Sequence, residues 1–130
     1  MPAPTITLLF ASLHVLLMLA LLAPISRHRH AHRIGLGDGG DKVLARKIRV
    51  HGNFIEHAPF SLLMLGLLEL CGSPAPWLWG FGGALLLGRV MHAWGLSLSG
   101  GVSIGRFWGT GLTWATFLLM ALAGLWLAVR

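Results

Sequence analysis

The chain has 130 residues, 55% of them hydrophobic and only 11% charged, with a formal net charge of +6 and a mean hydropathy of +0.75. A soluble domain carries about 25% charged residues, so half of the usual solvated surface is missing. Disorder, a disulfide scaffold and an ordinary cytosolic enzyme are disfavoured by this apolar content and by the solitary Cys71. In a soluble chain the basic balance would suggest nucleic acid. Here the cations cluster between apolar runs, so no nucleic-acid partner is expected and the bilayer itself is the first partner.

The first apolar run, 5–25, is free of charge and matches the roughly 20 residues of a spanning helix. An Arg/His cluster follows it and no basic residue precedes it, so it reads as a retained helix and not a secretory signal. The polar segment 26–52 turns at Gly37-Asp38-Gly39-Gly40, after which Asp41 is expected to cap a second helix, 42–71, that begins in water. The charge-free turn Gly72-Ser73-Pro74-Ala75-Pro76 makes a third helix, 76–98, its antiparallel neighbour. A fourth run, 107–129, again lacks charge. The expected class is all-α, a single integral membrane four-helix domain over 1–130. Seven of the ten Lys and Arg residues fall in 26–52, Arg106 falls in the third connection, and the second connection has none. By the positive-inside rule, loops 26–52 and 98–107 are cytosolic and both termini lie outside.

The second helix carries groups that lipid should forbid. Arg46, Arg49, Asn53 and Glu56 follow at helical steps of three, four and three, making one polar ridge. His51 and His57 flank it and Pro59 ends it. Such groups must face a partner or a wet cavity. Either they are helix glue, with Arg49 and Glu56 paired for structure alone, or they hold a ligand. On the third helix Arg89 and His92 lie one turn apart at the same depth, and Arg106 precedes the fourth helix on that side. Three guanidinium groups at one leaflet have the composition of an anion site, since such forks bind carboxylates and stay charged when partly buried.

At these residues the chain resembles the MAPEG family, the membrane-associated proteins in eicosanoid and glutathione metabolism. The resemblance rests on Arg49-x-His51-Gly52-Asn53-x-x-Glu56-His57-x-Pro59, supported by Gly37-Asp38-Gly39-Gly40 and Gly88-Arg89-x-Met91-His92. It looks closest to the small bacterial inner-membrane members and covers essentially the whole chain. It implies a homotrimer in the bacterial inner membrane that binds glutathione between subunits. Such a protein acts as a glutathione-dependent transferase or peroxidase on small lipophilic electrophiles or hydroperoxides. Carried over residue by residue, Arg49, Asn53 and Glu56 hold the tripeptide, with His51, His57, Arg89 and His92 around it. Arg27 or Arg29 would reach in from the first helix, and Arg106 would stabilise the thiolate as the catalytic group. Family members often place Tyr after the motif Glu and on the third helix, and this chain has no Tyr. A non-enzymatic protein holding an anionic metabolite or lipid headgroup in the same Arg/Asn/Glu pocket is therefore the alternative.

Smaller features carry weaker expectations. His28, His30 and His32 alternate with Arg residues. Because residues two apart diverge on a helix and guanidinium groups repel cations, no metal is expected there. His14 is expected to hydrogen-bond between helices, and Gly80, Gly82, Gly83 and Gly88 to allow close packing. Glu69 has no partner on its own helix.

Overall fold

A bilayer offers backbone amides no partners, so spanning segments must satisfy their own hydrogen bonds. The computed structural model, which describes residues 2–98 and 101–130, is built accordingly. Its elements are α1 (Thr5–His32), α2 (Lys42–Leu70), α3 (Ala75–Leu98) and α4 (Ile104–Val129). Residues 99 and 100 of the third connection lie outside the described residues. The shortest helix has 24 residues, about 36 Å at 1.5 Å per residue, enough to cross a hydrocarbon core of about 30 Å. By length and composition α1 and α4 are apolar enough to cross a membrane. Large apolar side chains such as Leu8, Leu16, Phe60, Leu122 and Leu125 point outward, the reverse of a soluble bundle.

Two boundaries differ from expectation by more than one residue. The first helix was expected over 5–25, yet α1 continues to His32 and stops where Arg33 turns left-handed (φ 54°). Hydropathy marks where a chain leaves lipid, not where its helix ends, and Arg29, His30 and His32 in the last turn suit the negative end of the helix dipole. The fourth helix starts at Ile104 and not at 107, because Ser103 caps it by accepting from the Arg106 amide at 3.2 Å. Arg106 thus lies inside the first turn of α4. Asp41 caps α2 as expected, its Oδ1 accepting from the amides of Val43 and Leu44.

The α3–α4 pair is joined backbone to backbone. A Cβ at Gly109 would overlap the His92 amide, and one at Gly95 would overlap the Arg106 amide. One at Gly88 would fall 2.6 Å from the Thr113 hydroxyl, and one at Gly105 2.9 Å from the Met91 carbonyl. Gly82 instead receives the Phe10 ring of α1. Close packing therefore holds for Gly82 and Gly88, whereas Gly80 and Gly83 have open space beside them. Below this seam Phe10, Leu65, Leu68, Leu78, Leu85 and Met120 form the apolar core.

Glu69 finds its partner on another helix. Its Oε1 and Oε2 accept from the amides of Ile6 and Thr7 at 2.9 and 2.7 Å. Pro4, at the N-cap of α1, offers no side-chain cap, so the end of α2 supplies one across the bundle. A carboxylate there also meets the positive end of the α1 dipole.

Candidate functional site

The ridge on α2 splits in two once the helices are assembled. Arg49 and Glu56, two turns apart, face outward and form a bidentate pair: Nη1 donates to Oε1 and Nη2 to Oε2, each at 2.9 Å. Their side chains are 53% and 51% exposed, so a cation and an anion at membrane depth stand half open to whatever covers this face. Asn53, between them in sequence, turns inward. Its Oδ1 accepts from Arg89 Nη1 at 2.6 Å.

Arg89 is 2% exposed. Its Nε and Nη2 donate to the Thr113 hydroxyl at 3.2 and 2.9 Å, and that hydroxyl donates on to the Gly109 carbonyl. One guanidinium thus ties α2, α3 and α4 through neutral partners, with no carboxylate beside it among the described residues. The structure places Arg89 and Asn53 together in the bundle interior, where the sequence reading had put both at the ligand. Thr113 was missed. The available signal was the small-residue spacing Gly105-x-x-x-Gly109-x-x-x-Thr113, which marks the α4 face that meets α3.

The other predicted residues lie around this centre. His57 Nδ1 bonds the Asn53 carbonyl at 2.7 Å, its ring stacks near Phe117, and its Nε2 accepts from Trp114 Nε1 at 3.5 Å. His92 is buried within electrostatic reach of Arg49, His57, Arg89 and Arg106. Five of the predicted groups therefore share one region, and among them the positive charge is in excess. Arg106 Nη1 reaches the Gly101 carbonyl at 3.4 Å. With Phe107 and Trp114 it lines an outward groove of about 450 Å³. His51 is half-buried and lies about 200° round α2 from Arg49, so one α2 face does not present both. Arg29 sits on the helical extension of α1, and its buried Nη1 has no acceptor among the described residues. His14, expected to bridge helices, bonds the Phe10 carbonyl of its own helix instead.

The extension of α1 also changes the reading of the histidine run. His28 and His32, one turn apart, stack at 4.1 Å, and their ring nitrogens gather with the Asp41 carboxylate within 4.8 Å. Alternating residues diverge on a helix, but His28 and His32, at spacing four, share a face. His28 Nε2 bonds Asp41 at 2.7 Å, and Lys47 Nζ stands 3.3 Å from His28 Nδ1. With Lys47 donating to Nδ1, Nε2 carries the proton given to Asp41. The trio pins the end of α1 to the start of α2. Together with the two cap bonds, the imidazole holds the Asp41 carboxyl well below its usual range, at about 2.

Four membrane-length helices with outward apolar side chains, and a half-open ion pair beside a cationic cluster, define an integral membrane protein with a polar region at one end of its bundle. The sequence agrees in detail with such proteins: residues 7–126 match the MAPEG family, and the chain belongs to that family. It is similar to the inner membrane protein YecN of Escherichia coli strain K12, with 34% identity over 121 residues, 93% of this chain and 91% of that one. The same protein of Escherichia coli O6:H1 matches equally. The chain is an integral protein of the inner membrane.

Proposed function

We propose that the protein is a glutathione-dependent transferase or peroxidase acting on lipophilic electrophiles or hydroperoxides. The observation that carries this reading is the half-exposed Arg49–Glu56 pair. The γ-glutamyl head of glutathione bears an ammonium and a carboxylate. It can open the pair and give each partner a counterpart, Glu56 accepting from the ammonium and Arg49 clamping the carboxylate, at no change in net charge. Arg106 then stands near the sulfur, with His57 and His92 around it and Arg29 offering its unpaired Nη1 from α1. A thiol titrates near pH 8.5 and reacts as its thiolate. Each unit by which a guanidinium lowers that value gives about tenfold more nucleophile at neutral pH. The thiolate bonds to an electrophilic carbon in the bilayer as a leaving group departs or an activated double bond takes up a proton. Alternatively it bonds the terminal oxygen of a hydroperoxide as the O–O bond breaks and the alcohol leaves. A second glutathione then converts the resulting sulfenic acid to the disulfide and water.

The assembly we propose is a homotrimer. The exposed ion pair and the groove at Arg106 lie on the outside of one chain, where a neighbouring copy would enclose them. The proposed topology keeps the loop 26–52 cytosolic with both termini outside. In a Cys71→Ser background, chosen because Cys71 is exposed, a cysteine at the exposed Ala75 should label from outside intact cells and one at Gly37 should not.

Glutathione at 100 times its dissociation constant should stabilise the purified protein by about 2.7 kcal/mol. Arg49→Ala or Glu56→Ala should weaken binding by a factor of tens, since each removes one partner of a charge pair with the bound ligand. Arg106→Ala should keep most of the affinity but lose the thiolate absorbance of bound glutathione near pH 7. Unchanged binding in Arg49→Ala and unchanged absorbance in Arg106→Ala, in a folded oligomer, would return the ridge to helix glue. Binding without turnover of any electrophile or hydroperoxide would favour the non-enzymatic alternative, which the absence of tyrosine also favours.

A further inference from the structure

A second cationic recess lies at the same end of the bundle, against the start of α2. It encloses about 330 Å³ where the end of α1, the start of α2 and the end of α3 converge, at the small end of the range of about 300–1,000 Å³ for ligand pockets. Lys42, Arg46 and Lys47 stand on one wall, and Leu21, Pro24 and Val50 form the apolar remainder. Round α2, Lys42 and Arg46 lie about 20° and 60° from Arg49 and Lys47 about 160°, so the recess adjoins the Arg49–Glu56 face, but neither Arg49 nor Glu56 lines it.

The recess has an unbalanced charge. The chain holds four Asp and Glu carboxylates, and among the described residues none pairs directly with these three cations, although Asp41 approaches Lys47 through His28. Glu56 holds Arg49, Glu69 caps α1, Asp41 caps α2 and bonds His28, and Asp38 bonds the Gly40 amide. Lys47 is oriented by His28, while Lys42 and Arg46 have no carboxylate partner among the described residues. Three cations at the edge of an apolar cleft match an anion carried on an apolar stem. The depth matches too, because Leu21 and Pro24 end the charge-free run of α1 and the cations begin at Arg27, the level of lipid headgroups.

We propose that this recess is a specific site for the phosphate headgroup of an anionic phospholipid. Lys42, Arg46 and Lys47 hold the phosphate, and the first methylenes of the chains lie along Leu21, Pro24 and Val50. The bound lipid bridges α1 to α2 beside the His28–Asp41 link and completes the packing of the α2 entry.

The test uses the full-length protein, delipidated in mild detergent. Thermal stability and retained lipid are measured by melting and native mass spectrometry on addition of phosphatidylglycerol, phosphatidylcholine or inorganic phosphate. Phosphatidylglycerol should stabilise saturably and be retained at fixed stoichiometry, with phosphatidylcholine far weaker. Each basic residue contributes about fivefold to anionic-lipid affinity. Lys42→Gln with Arg46→Gln should therefore weaken retention by about 25-fold, while Arg27→Gln with Arg33→Gln, the same charge loss outside the recess, should change it by less than about threefold. Val43→Trp, at an exposed position on the rim, should lower retention without altering charge. Equal losses in the two charge-pair variants would overturn the proposal in favour of diffuse surface attraction. Full stabilisation by inorganic phosphate alone would overturn it in favour of a soluble anion.

Discussion

Replacing Glu69 by alanine tests the claim that one helix caps another across this bundle. The carboxylate accepts two backbone N–H groups, at 2.9 and 2.7 Å, in the first turn of a helix with no side-chain cap of its own. Losing a helix cap costs about 0.5–2 kcal/mol. Here two charge-assisted bonds and a favourable dipole term disappear together, so the expected loss is about 2–3 kcal/mol. Glu69→Gln keeps one acceptor oxygen and should lose about 1 kcal/mol. Unfolding in mixed micelles measures the total, and hydrogen exchange locates it: the amides of Ile6 and Thr7 should lose protection, while those of α4 should keep theirs. Glu56→Ala, which removes a carboxylate remote from α1, serves as the control. If Glu69→Ala left both stability and the protection of Ile6 and Thr7 unchanged, the cross-helix cap would contribute nothing and α1 would be held by its other contacts, Phe10 against Gly82 and His28 on Asp41.

Gly109→Ala and Gly95→Ala should each destabilise by about 1–3 kcal/mol, as overpacking does, because their Cβ atoms meet backbone. Gly80→Ala and Gly83→Ala, with open space beside them, should be neutral or stabilising by up to about 1 kcal/mol in the same unfolding assay. Thr113→Val keeps the shape but removes the acceptor of two Arg89 donors, for an expected loss of about 1.5–3 kcal/mol. Thr116→Val removes only a bond to its own helix at Leu112 and should cost less. The folded Asp41 carboxyl titrates at about 2, below the ordinary 3.8, so its stabilising contribution is fully present above pH 4. That contribution falls away as the pH drops through 2, and Asp41→Asn should flatten melting-temperature profiles between those limits.

The four helices were legible because charge-free runs of bilayer length and a Pro/Gly turn leave little choice of architecture. Their ends were less so. The helical tail of α1 is polar and therefore invisible to hydropathy, although its left-handed end at Arg33 shows where it stops. The ridge was readable as a set but not as a partition. Arg49 and Arg89 are both cations at membrane depth, and no spacing rule says that one pairs with Glu56 at the surface while the other is buried against a threonine 24 residues later. Glu69 was opaque for a related reason, since its partners are main-chain amides 62 and 63 residues earlier and carry no side-chain signature.

The neutral ring around Arg89 has a consequence for biogenesis. An arginine near the middle of a spanning segment opposes insertion by about 2.5–3.5 kcal/mol. The groups that accept its hydrogen bonds come from a helix made earlier, through Asn53, and a helix made later, through Thr113. While α3 is the most recent segment to leave the ribosome, only one of those acceptors exists. The glycine faces that let α3 and α4 touch also await synthesis of the final segment. Membrane integration of this protein is therefore expected to finish in a single late step, with α3 and α4 released into lipid as a pair. A chain truncated before Thr113 should leave α3 stalled at the insertion machinery.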